Sequence, residues 1–120
     1  MSVQTDSLKD RLSRASEITI TVTGRKSGRK TSRPVWFVLD VDDLYLLPVE
    51  GSDTQWYQNV LKNPKIGVEP GGATIEFKGI PITEPAEVAS VADKFRKKYG
   101  PGDVKKYYSK FDVAVLVPLK

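Results

Sequence analysis

The sequence predicts an α+β protein built around a small antiparallel β-barrel. Six or so short segments are rich in β-branched and aromatic residues, and only two or three segments have helical periodicity. The helices do not alternate with the strands as they would in a βαβ fold. The 120 residues are therefore expected to form one barrel domain, residues 17–120, preceded by a helical extension, residues 1–16.

The N-terminal half predicts a helix, three strands and a basic loop. Apolar residues at helical spacing favour a short amphipathic helix at residues 6–15. Isoleucine and valine alternate with threonine over residues 17–23, which predicts a strand with one buried face. Residues 24–33 are polar and are predicted as a loop. The apolar runs at residues 34–39 and 44–49 flank an Asp-rich turn and predict a hairpin.

Two further helices and a short helical turn follow. Ser52 and Gln55 resemble a capping box that opens a helix at residues 53–62, which an Asn-Pro pair ends. A second helix is expected to begin at Pro85, because its apolar residues fall on one stripe until a glycine interrupts it. A short turn of helix is expected at residues 104–110.

The remaining strands are predicted from β-branched runs. Residues 65–69 and 73–77 flank a Pro-Gly-Gly turn at residues 70–72. The second of these strands continues past a bulge at residues 78–79. Residues 113–117 form the final strand.

Positive charge is concentrated in one segment. Residues 24–33 read Gly-Arg-Lys-Ser-Gly-Arg-Lys-Thr-Ser-Arg and hold five of the 19 Lys and Arg residues, so the rest of the chain has 14 cations against 15 Asp and Glu. Its glycines and serines allow backbone N–H groups to turn toward an anion while side chains close around it. The segment therefore predicts a phosphate site. The alternatives are a solvated charged loop and a nonspecific nucleic-acid contact.

Missing residue types exclude several kinds of chemistry. The chain has no cysteine and no histidine, which excludes thiolate catalysis, the usual serine-type triad and most transition-metal sites. We therefore expect no metal, and any difficult chemistry would belong to a bound cofactor. No apolar run approaches the length of a spanning helix and no signal-peptide pattern is present, so a cytoplasmic protein with no membrane span is expected.

Three segments occur in a characteristic order. They are Thr-Gly-Arg-Lys-Ser-Gly at 23–28, Pro-Val-Trp-Phe-Val at 34–38 and Trp-Tyr-Gln-Asn-Val-Leu-Lys-Asn-Pro at 56–64. Together they resemble the deazaflavin-dependent nitroreductase family of split β-barrel oxidoreductases, from about Ile18 to the C-terminus.

The resemblance implies an FMN-binding split-barrel-like fold with six to seven mostly antiparallel strands and two to three helices. It also implies coenzyme F-420 as cofactor, hydride transfer to a quinone, a nitro compound or another small acceptor, and pairing into a homodimer. The residues it assigns to cofactor binding are Arg25, Lys26, Ser27, Gly28, Arg29, Arg33, Pro34, Val35, Trp36, Pro48, Val49, Trp56, Tyr57 and Asn59.

Two departures from the family pattern concern the anionic ligand. The family commonly has Pro-Arg where this chain has Lys30 and Thr31, so Arg29 or Arg33 is expected to substitute for the missing arginine. Glu50 places a carboxylate near an anionic ligand. FMN is therefore the alternative cofactor, and a non-catalytic carrier of a flavin-like phosphorylated ligand is the alternative function.

The aromatic residues allow both a structural and a functional interpretation. Trp56 and Tyr57 are adjacent on a helix, so one is expected in the core and the other half-exposed or beside a ligand. Trp36 is either a core residue or a ligand contact. Tyr107 and Tyr108 are the candidate catalytic residues, as neutral proton donors in a chain without histidine. The alternative is that these tyrosines cover the core.

Overall fold

The described part of the chain, residues 3–69 and 74–119 of the computed structural model, contains four α-helices and eight strands. The helices are α1 (Val3–Arg14), α2 (Gln55–Lys62), α3 (Pro85–Tyr99) and α4 (Pro101–Tyr107). The strands are β1 (Ile18–Thr23), β2 (Lys30–Val35), β3 (Phe37–Asp40), β4 (Asp43–Leu46), β5 (Lys65–Glu69), β6 (Ile75–Lys78), β7 (Ile80–Ile82) and β8 (Ala114–Pro118). The predicted turn at residues 70–72 lies outside the described residues.

Two antiparallel sheets of four strands form the framework. Their strand orders are β2-β1-β5-β6 and β3-β4-β8-β7. The chain passes from the first sheet to the second at Trp36, between β2 and β3, and again at Gly79, between β6 and β7. This arrangement is a split barrel, and it confirms the α+β class predicted from the sequence.

The element count is higher than the six to seven strands and two to three helices expected. The run at residues 34–39, predicted as one strand, is divided between the two sheets at Trp36. The second division falls at Gly79, where an added Cβ would lie 3.1 Å from Val60 Cγ1. Because a side chain there would crowd α2, glycine allows the backbone to turn from one sheet into the other.

The basic segment is a loop only in its first half. Residues 24–29 connect β1 to β2, whereas Lys30 and the residues after it pair with β1 in register from Thr23↔Lys30 to Ile18↔Val35. The loop predicted for the whole of 24–33 was therefore wrong for its second half. Pairing with a half-buried strand gives these polar residues backbone hydrogen bonds, while β2 remains an exposed edge.

The predicted capping box is also wrong. A 3-10 turn at Gly51–Asp53 precedes α2, and Thr54 occupies the N-cap position without a side-chain cap bond. Ser52 Oγ instead donates to Asp112 Oδ2 at 2.6 Å. Ser52 therefore joins the start of α2 to the segment before β8, a long-range role that the local pattern could not indicate.

The hydrophobic core is filled from both sheets and all four helices of the described chain. One face of β1 is buried and the other half-exposed, as the alternation predicted. Leu12 of α1 is 1% exposed and belongs to a core cluster formed by residues of both sheets. Helix α3 covers the second sheet with a stripe formed by Val88, Val91, Ala92 and Phe95. Among the described residues, no helix has the length and apolar character needed to cross a bilayer.

Candidate functional site

A groove of about 680 Å³ lies beside β2. One side of the groove is formed by the residue that precedes β1 and by the second half of β2. The remaining walls come from the connection between β4 and α2, the start of α2 and the end of α4. The lining residues are Glu17, Arg33, Pro34, Val35, Trp36, Leu47, Val49, Glu50, Thr54, Gln55, Trp56, Tyr107 and Tyr108. A groove of this volume is large enough for a cofactor-sized ligand.

Two tryptophans line this groove. Trp36 is half-buried and stacks on Tyr99, with ring centroids 4.2 Å apart and planes 8° from parallel. Its ring also meets the Tyr107 ring edge-on at 5.5 Å. Trp56 is 3% exposed and lines the groove from α2. These are the two tryptophans of the chain, and both line the groove.

The position of Trp36 depends on Tyr99. The Tyr99 hydroxyl accepts a hydrogen bond from the Phe37 amide at 3.0 Å. The carbonyl oxygens of Phe37 and Ser16 both lie 2.8 Å from the same hydroxyl, which donates its proton to one of them. Burial raises the pKa of Tyr99 to about 12, so the donor is retained at neutral pH. Tyr99 therefore holds the crossing between β2 and β3, and with it the indole.

Tyr108 contributes a polar group to the groove. Its side chain is 6% exposed, and burial raises its pKa well above the ordinary value for a phenol. The hydroxyl has no hydrogen-bond partner in the described part of the chain. No side-chain nitrogen or oxygen there is both sealed from solvent and unpaired, so this hydroxyl retains access to the groove. It can donate a hydrogen bond to a ligand but does not readily release its proton.

Tyr107 has a different environment from its neighbour. It is 51% exposed and lies at the edge of the groove. The Lys106 ammonium is 5.4 Å from its ring centroid. The two candidate catalytic tyrosines thus differ in burial, and Tyr108 is the one whose ring is packed among other aromatic side chains.

The basic loop is attached to α2 next to the groove. Asn59 Oδ1 accepts hydrogen bonds from the Arg25 amide at 3.1 Å and from the Arg25 guanidinium at 2.7 Å. The same guanidinium donates to Gln55 Oε1 at 2.8 Å. Because Gln55 also lines the groove, the start of the basic loop is next to the groove.

Most of the loop's amides are already used within the protein. Four of them donate to groups in the loop or in α2, namely those of Gly24, Arg25, Gly28 and Arg29. These four N–H groups are therefore not available to an anion. Within the loop, the amides of Lys26 and Ser27 and the exposed cationic side chains remain for a ligand.

The five cations of residues 24–33 do not share one surface. Arg33 pairs with Ile20, which is buried, so Arg33 projects on the groove side of β2. Lys30 is three residues before Arg33 in the same strand. Because side chains alternate between the two faces of a strand, Lys30 projects from the opposite face, where its ammonium lies 3.8 Å from Glu76. The alternation of the strand therefore separates charges that are close in the sequence.

The groove brings together eight of the predicted site residues: Arg33, Pro34, Val35, Trp36, Val49, Trp56, Tyr107 and Tyr108. Eight others do not line it: Arg25, Lys26, Ser27, Gly28, Arg29, Pro48, Tyr57 and Asn59. Tyr57 is 2% exposed and belongs to the core, where burial raises its pKa. Of the adjacent aromatic pair, Trp56 is therefore the member that reaches the groove.

Two carboxylates line the groove as well. Glu50 is at the position where the sequence placed a carboxylate near the ligand, whereas Glu17 was not predicted. Neither makes an ion pair within the described residues. Glu17 precedes a strand with no motif around it, so no local signal marks it as a site residue. Leu47, Thr54 and Gln55 were also missed, because packing of the loop before α2 brings them to the groove.

Solved structures with the same fold include proteins of different activities. An F420-H2 dependent reductase, FDR-A, is 22% identical, with a TM-score of 0.66 over 85% of this chain and 93% of that one. HutZ, the heme storage protein from Vibrio cholerae, is 12% identical, with a TM-score of 0.69 over 94% and 87%. A protein described as a domain-swapped dimer is 20% identical, with a TM-score of 0.67 over 95% and 98%. At these identities, the likeness establishes the split-barrel fold.

Sequence comparison identifies the family. No curated protein matches the chain. A family model described as "Uncharacterized protein conserved in bacteria (DUF2255)" matches residues 9–113. Because this match covers most of the 120 residues, the protein belongs to the DUF2255 family.

Proposed function

We propose that the protein is an oxidoreductase that binds a deazaflavin cofactor of the F-420 type. The ring would lie in the groove, and the phosphate and acidic tail would lie on the basic loop. The observation that carries this proposal is the contact between Arg25 and Gln55, which joins the cationic loop to the groove. An F420-H2 dependent reductase with the same fold supports it.

The residues present fit such a ligand in two respects. Trp36 and Trp56 line the groove in which a planar ring would lie. Lys26 and Arg29 are exposed next to the groove, and they offer charge-assisted hydrogen bonds to phosphate or carboxylate oxygens. The anion would be held mainly by side chains, since four loop amides are occupied.

When bound in its reduced form, the cofactor supplies a hydride to a small acceptor such as a quinone or a nitro compound. The protein's own contribution would be orientation, exclusion of water and one hydrogen bond, because the chain has no histidine or cysteine. The tryptophans would orient the rings. The Tyr108 hydroxyl would donate to an oxygen of the acceptor, where negative charge develops during reduction.

The basic loop is tested by a double substitution, Lys26→Ala with Arg29→Ala. Each charge-assisted hydrogen bond contributes about 1.5–3 kcal/mol, so removing both is expected to weaken F-420 binding by at least about a hundredfold. The control is Lys62→Ala with Lys97→Ala, which removes two exposed charges outside the loop and the groove. Binding is measured by the fluorescence of F-420, with FMN titrated in parallel as the alternative cofactor. Equal losses in both double variants would contradict the proposed tail site.

A non-catalytic carrier of a flavin-like phosphorylated ligand is the second candidate. It is favoured by the absence of histidine and cysteine from the chain, and by the fold shared with a heme storage protein. Turnover distinguishes the two. If the protein is an oxidoreductase, bound reduced F-420 should be oxidised faster when menadione or a nitroaromatic compound is present than when no acceptor is added. If the protein is a carrier, the oxidation rate of the bound cofactor should be the same with and without the acceptor.

We also propose that the protein forms a homodimer. Strand β2 is an exposed sheet edge with unpaired backbone groups along its outer side, which favours association. A protein of the same fold is described as a domain-swapped dimer. Light scattering coupled to size-exclusion chromatography should give twice the chain mass of 13.3 kDa, and a mass of one chain across micromolar concentrations would contradict the proposal.

A further inference from the structure

We infer that Lys98 is the nucleophilic amine of a second site, a cavity between α1, β3 and α3, and that small acyl phosphates acylate it there. No residue that lines this cavity also lines the groove, so the inference does not depend on the proposed cofactor. The observations that carry it are the cavity, the contacts of the Lys98 amine and the charges around that amine.

The cavity has a volume of about 530 Å³ and is open to solvent. A volume of this order accommodates a small molecule. Helix α3 contributes the basic residues of its last two turns to the lining. The residues used in the argument are Leu12 and Ser13 of α1, Asp40 of β3, and Lys94, Lys97 and Lys98 of α3.

The Lys98 amine is packed against an apolar ring without a counter-charge. Its Nζ lies 3.6 Å from the centroid of the Phe37 ring and donates to the Phe37 carbonyl oxygen at 2.8 Å. Phe37 is 0% exposed, and in the described part of the chain no carboxylate forms an ion pair with this nitrogen. An ammonium that is partly removed from water and unpaired loses its proton more readily. Burial accordingly lowers the pKa of Lys98 to about 8.

In its neutral form, the amine has a lone pair that the protein does not use. One N–H donates to the Phe37 carbonyl, and the other can point at the face of the Phe37 ring. Both groups are electron-rich and repel the lone pair, which is left for an electrophile. Lys98 as a residue is exposed, so a reagent in the cavity can reach it. Desolvation of this kind activates lysine as a nucleophile.

The other charged residues of the lining favour an anionic reagent. Lys94 Nζ lies 3.3 Å from Asp40 Oδ2, so these two charges largely compensate each other. Lys97 is exposed and forms no ion pair within residues 3–69 and 74–119. The two lining residues from α1 are uncharged. The lining therefore has a net positive charge even when Lys98 is neutral.

The reaction is an acyl transfer to nitrogen. The neutral amine of Lys98 attacks the carbonyl carbon of the acyl phosphate, and a C–N bond forms. The bond from that carbon to the bridging oxygen breaks, inorganic phosphate leaves with the electron pair, and the proton lost by the nitrogen passes to the phosphate. An acyl phosphate combines a reactive carbonyl group with the negative charge that the lining attracts.

Acetylation of the folded protein by acetyl phosphate at about pH 7.5 tests the inference, with the initial rate at each lysine measured by peptide mass spectrometry. A pKa of about 8 instead of 10.5 enlarges the neutral fraction of Lys98 about two-hundredfold, and its nucleophilicity falls about tenfold if amines follow the sensitivity known for thiols. We therefore expect Lys98 to react at least about tenfold faster than Lys62, which is exposed and outside the cavity. A rate at Lys98 equal to or below that at Lys62 would overturn the inference.

The pH profile distinguishes an activated amine from one that is merely accessible. The rate at Lys98 should level off above about pH 8, whereas the rates at exposed lysines should rise up to about pH 9.5. Tyr99, whose ring centroid is 5.0 Å from the amine, keeps its proton over this range because burial raises its pKa to about 12. Rates at Lys98 and Lys62 that rise in parallel would overturn the inference.

A neutral acetyl donor tests the preference for an anion. Lys97→Gln should slow acetylation of Lys98 by acetyl phosphate about two- to threefold and leave its acetylation by p-nitrophenyl acetate unchanged. Lys105→Gln is the control, because it removes an exposed charge of α4 outside the cavity. Equal effects of Lys97→Gln on both donors would overturn the choice of an acyl phosphate.

Discussion

Asn59 Oδ1 accepts two hydrogen bonds from Arg25, one from the backbone amide at 3.1 Å and one from the guanidinium at 2.7 Å. The two residues are 34 positions apart in the sequence. A single buried amide of α2 thus fixes both the backbone and the side chain at the start of the basic loop. Asn59 therefore anchors the basic loop to α2.

Asn59→Ala should therefore loosen the basic loop. The variant leaves the Arg25 amide and guanidinium without their acceptor, which is expected to cost about 1–3 kcal/mol in the free energy of unfolding. Urea denaturation measures that cost, and F-420 titration measures the loss of binding. Asn59→Asp is the matched control, because a carboxylate keeps the acceptor. If Asn59→Ala and the wild type have the same stability and affinity, the proposed role of this contact is wrong.

Gly51→Ala should disturb the wall of the groove. Gly51 has a φ of +57°, and an added Cβ would collide with Asp112 Oδ1 and lie 2.9 Å from Lys110 Cγ. Backbone strain and the displaced carboxylate are expected to lower the free energy of unfolding by about 1–3 kcal/mol. Calorimetry or urea denaturation measures the change.

The control for Gly51→Ala is a glycine in open space. An added Cβ at Gly102, in α4, would meet nothing within 4 Å, so Gly102→Ala should stabilise the protein by about 0.4–1 kcal/mol. Similar effects of the two substitutions would show that crowding against Asp112 is not the cause.

Tyr99 is expected to make the free energy of unfolding depend on pH in the alkaline range. Burial raises its pKa from 10.0 to about 12 in the folded protein, so the folded state holds this proton more tightly than the unfolded state. The stabilisation is complete below pH 10 and is lost as the pH rises toward 12. Urea denaturation across this range should show a falling free energy of unfolding.

Tyr99→Phe isolates this contribution. The variant should be less stable at pH 8, because the hydroxyl that bonds the Phe37 amide is missing. Its stability should also fall less steeply between pH 10 and 12. Burial also raises the pKa values of Tyr45, Tyr57 and Tyr108, so part of the slope remains. An unchanged slope in the variant would contradict the assignment to Tyr99.

Tyr108→Phe separates a ligand contact from a core residue. The hydroxyl has no protein partner in the described chain, so the variant is expected to keep the stability of the wild type. Binding of a ligand with a carbonyl oxygen should weaken by about two- to tenfold, the range for one neutral hydrogen bond. Tyr45→Phe, half-buried and outside the groove lining, is the control. A large loss of stability with unchanged ligand affinity would instead identify Tyr108 as structural cover.

Local patterns predicted much of the fold because the relevant forces are local. The alternation in residues 17–23 corresponds to a strand with one buried face, and the apolar stripe after Pro85 corresponds to the buried side of α3. The capping box at Ser52 failed because its hydroxyl bonds Asp112, 60 positions away. A long-range partner of this kind leaves no trace in the residues around Ser52.

The site was only partly predictable for a similar reason. The motif at residues 34–38 included Trp36, and the motif at residues 56–64 included Trp56, both of which line the groove. The charge count of residues 24–33 suggested one cationic surface, but strand pairing turns Lys30 and Arg33 to opposite faces. Glu17 belongs to no sequence motif, and its place in the wall of the groove is visible only in the folded structure.

The placement of Trp36 and Trp56 has a practical consequence. Since the chain contains two tryptophans and both line the groove, the protein's intrinsic ultraviolet emission originates at the walls of its candidate site. A molecule that binds in the groove should change the wavelength or the intensity of that emission. Screening of unlabelled compound collections can thus begin with the native protein and a fluorimeter.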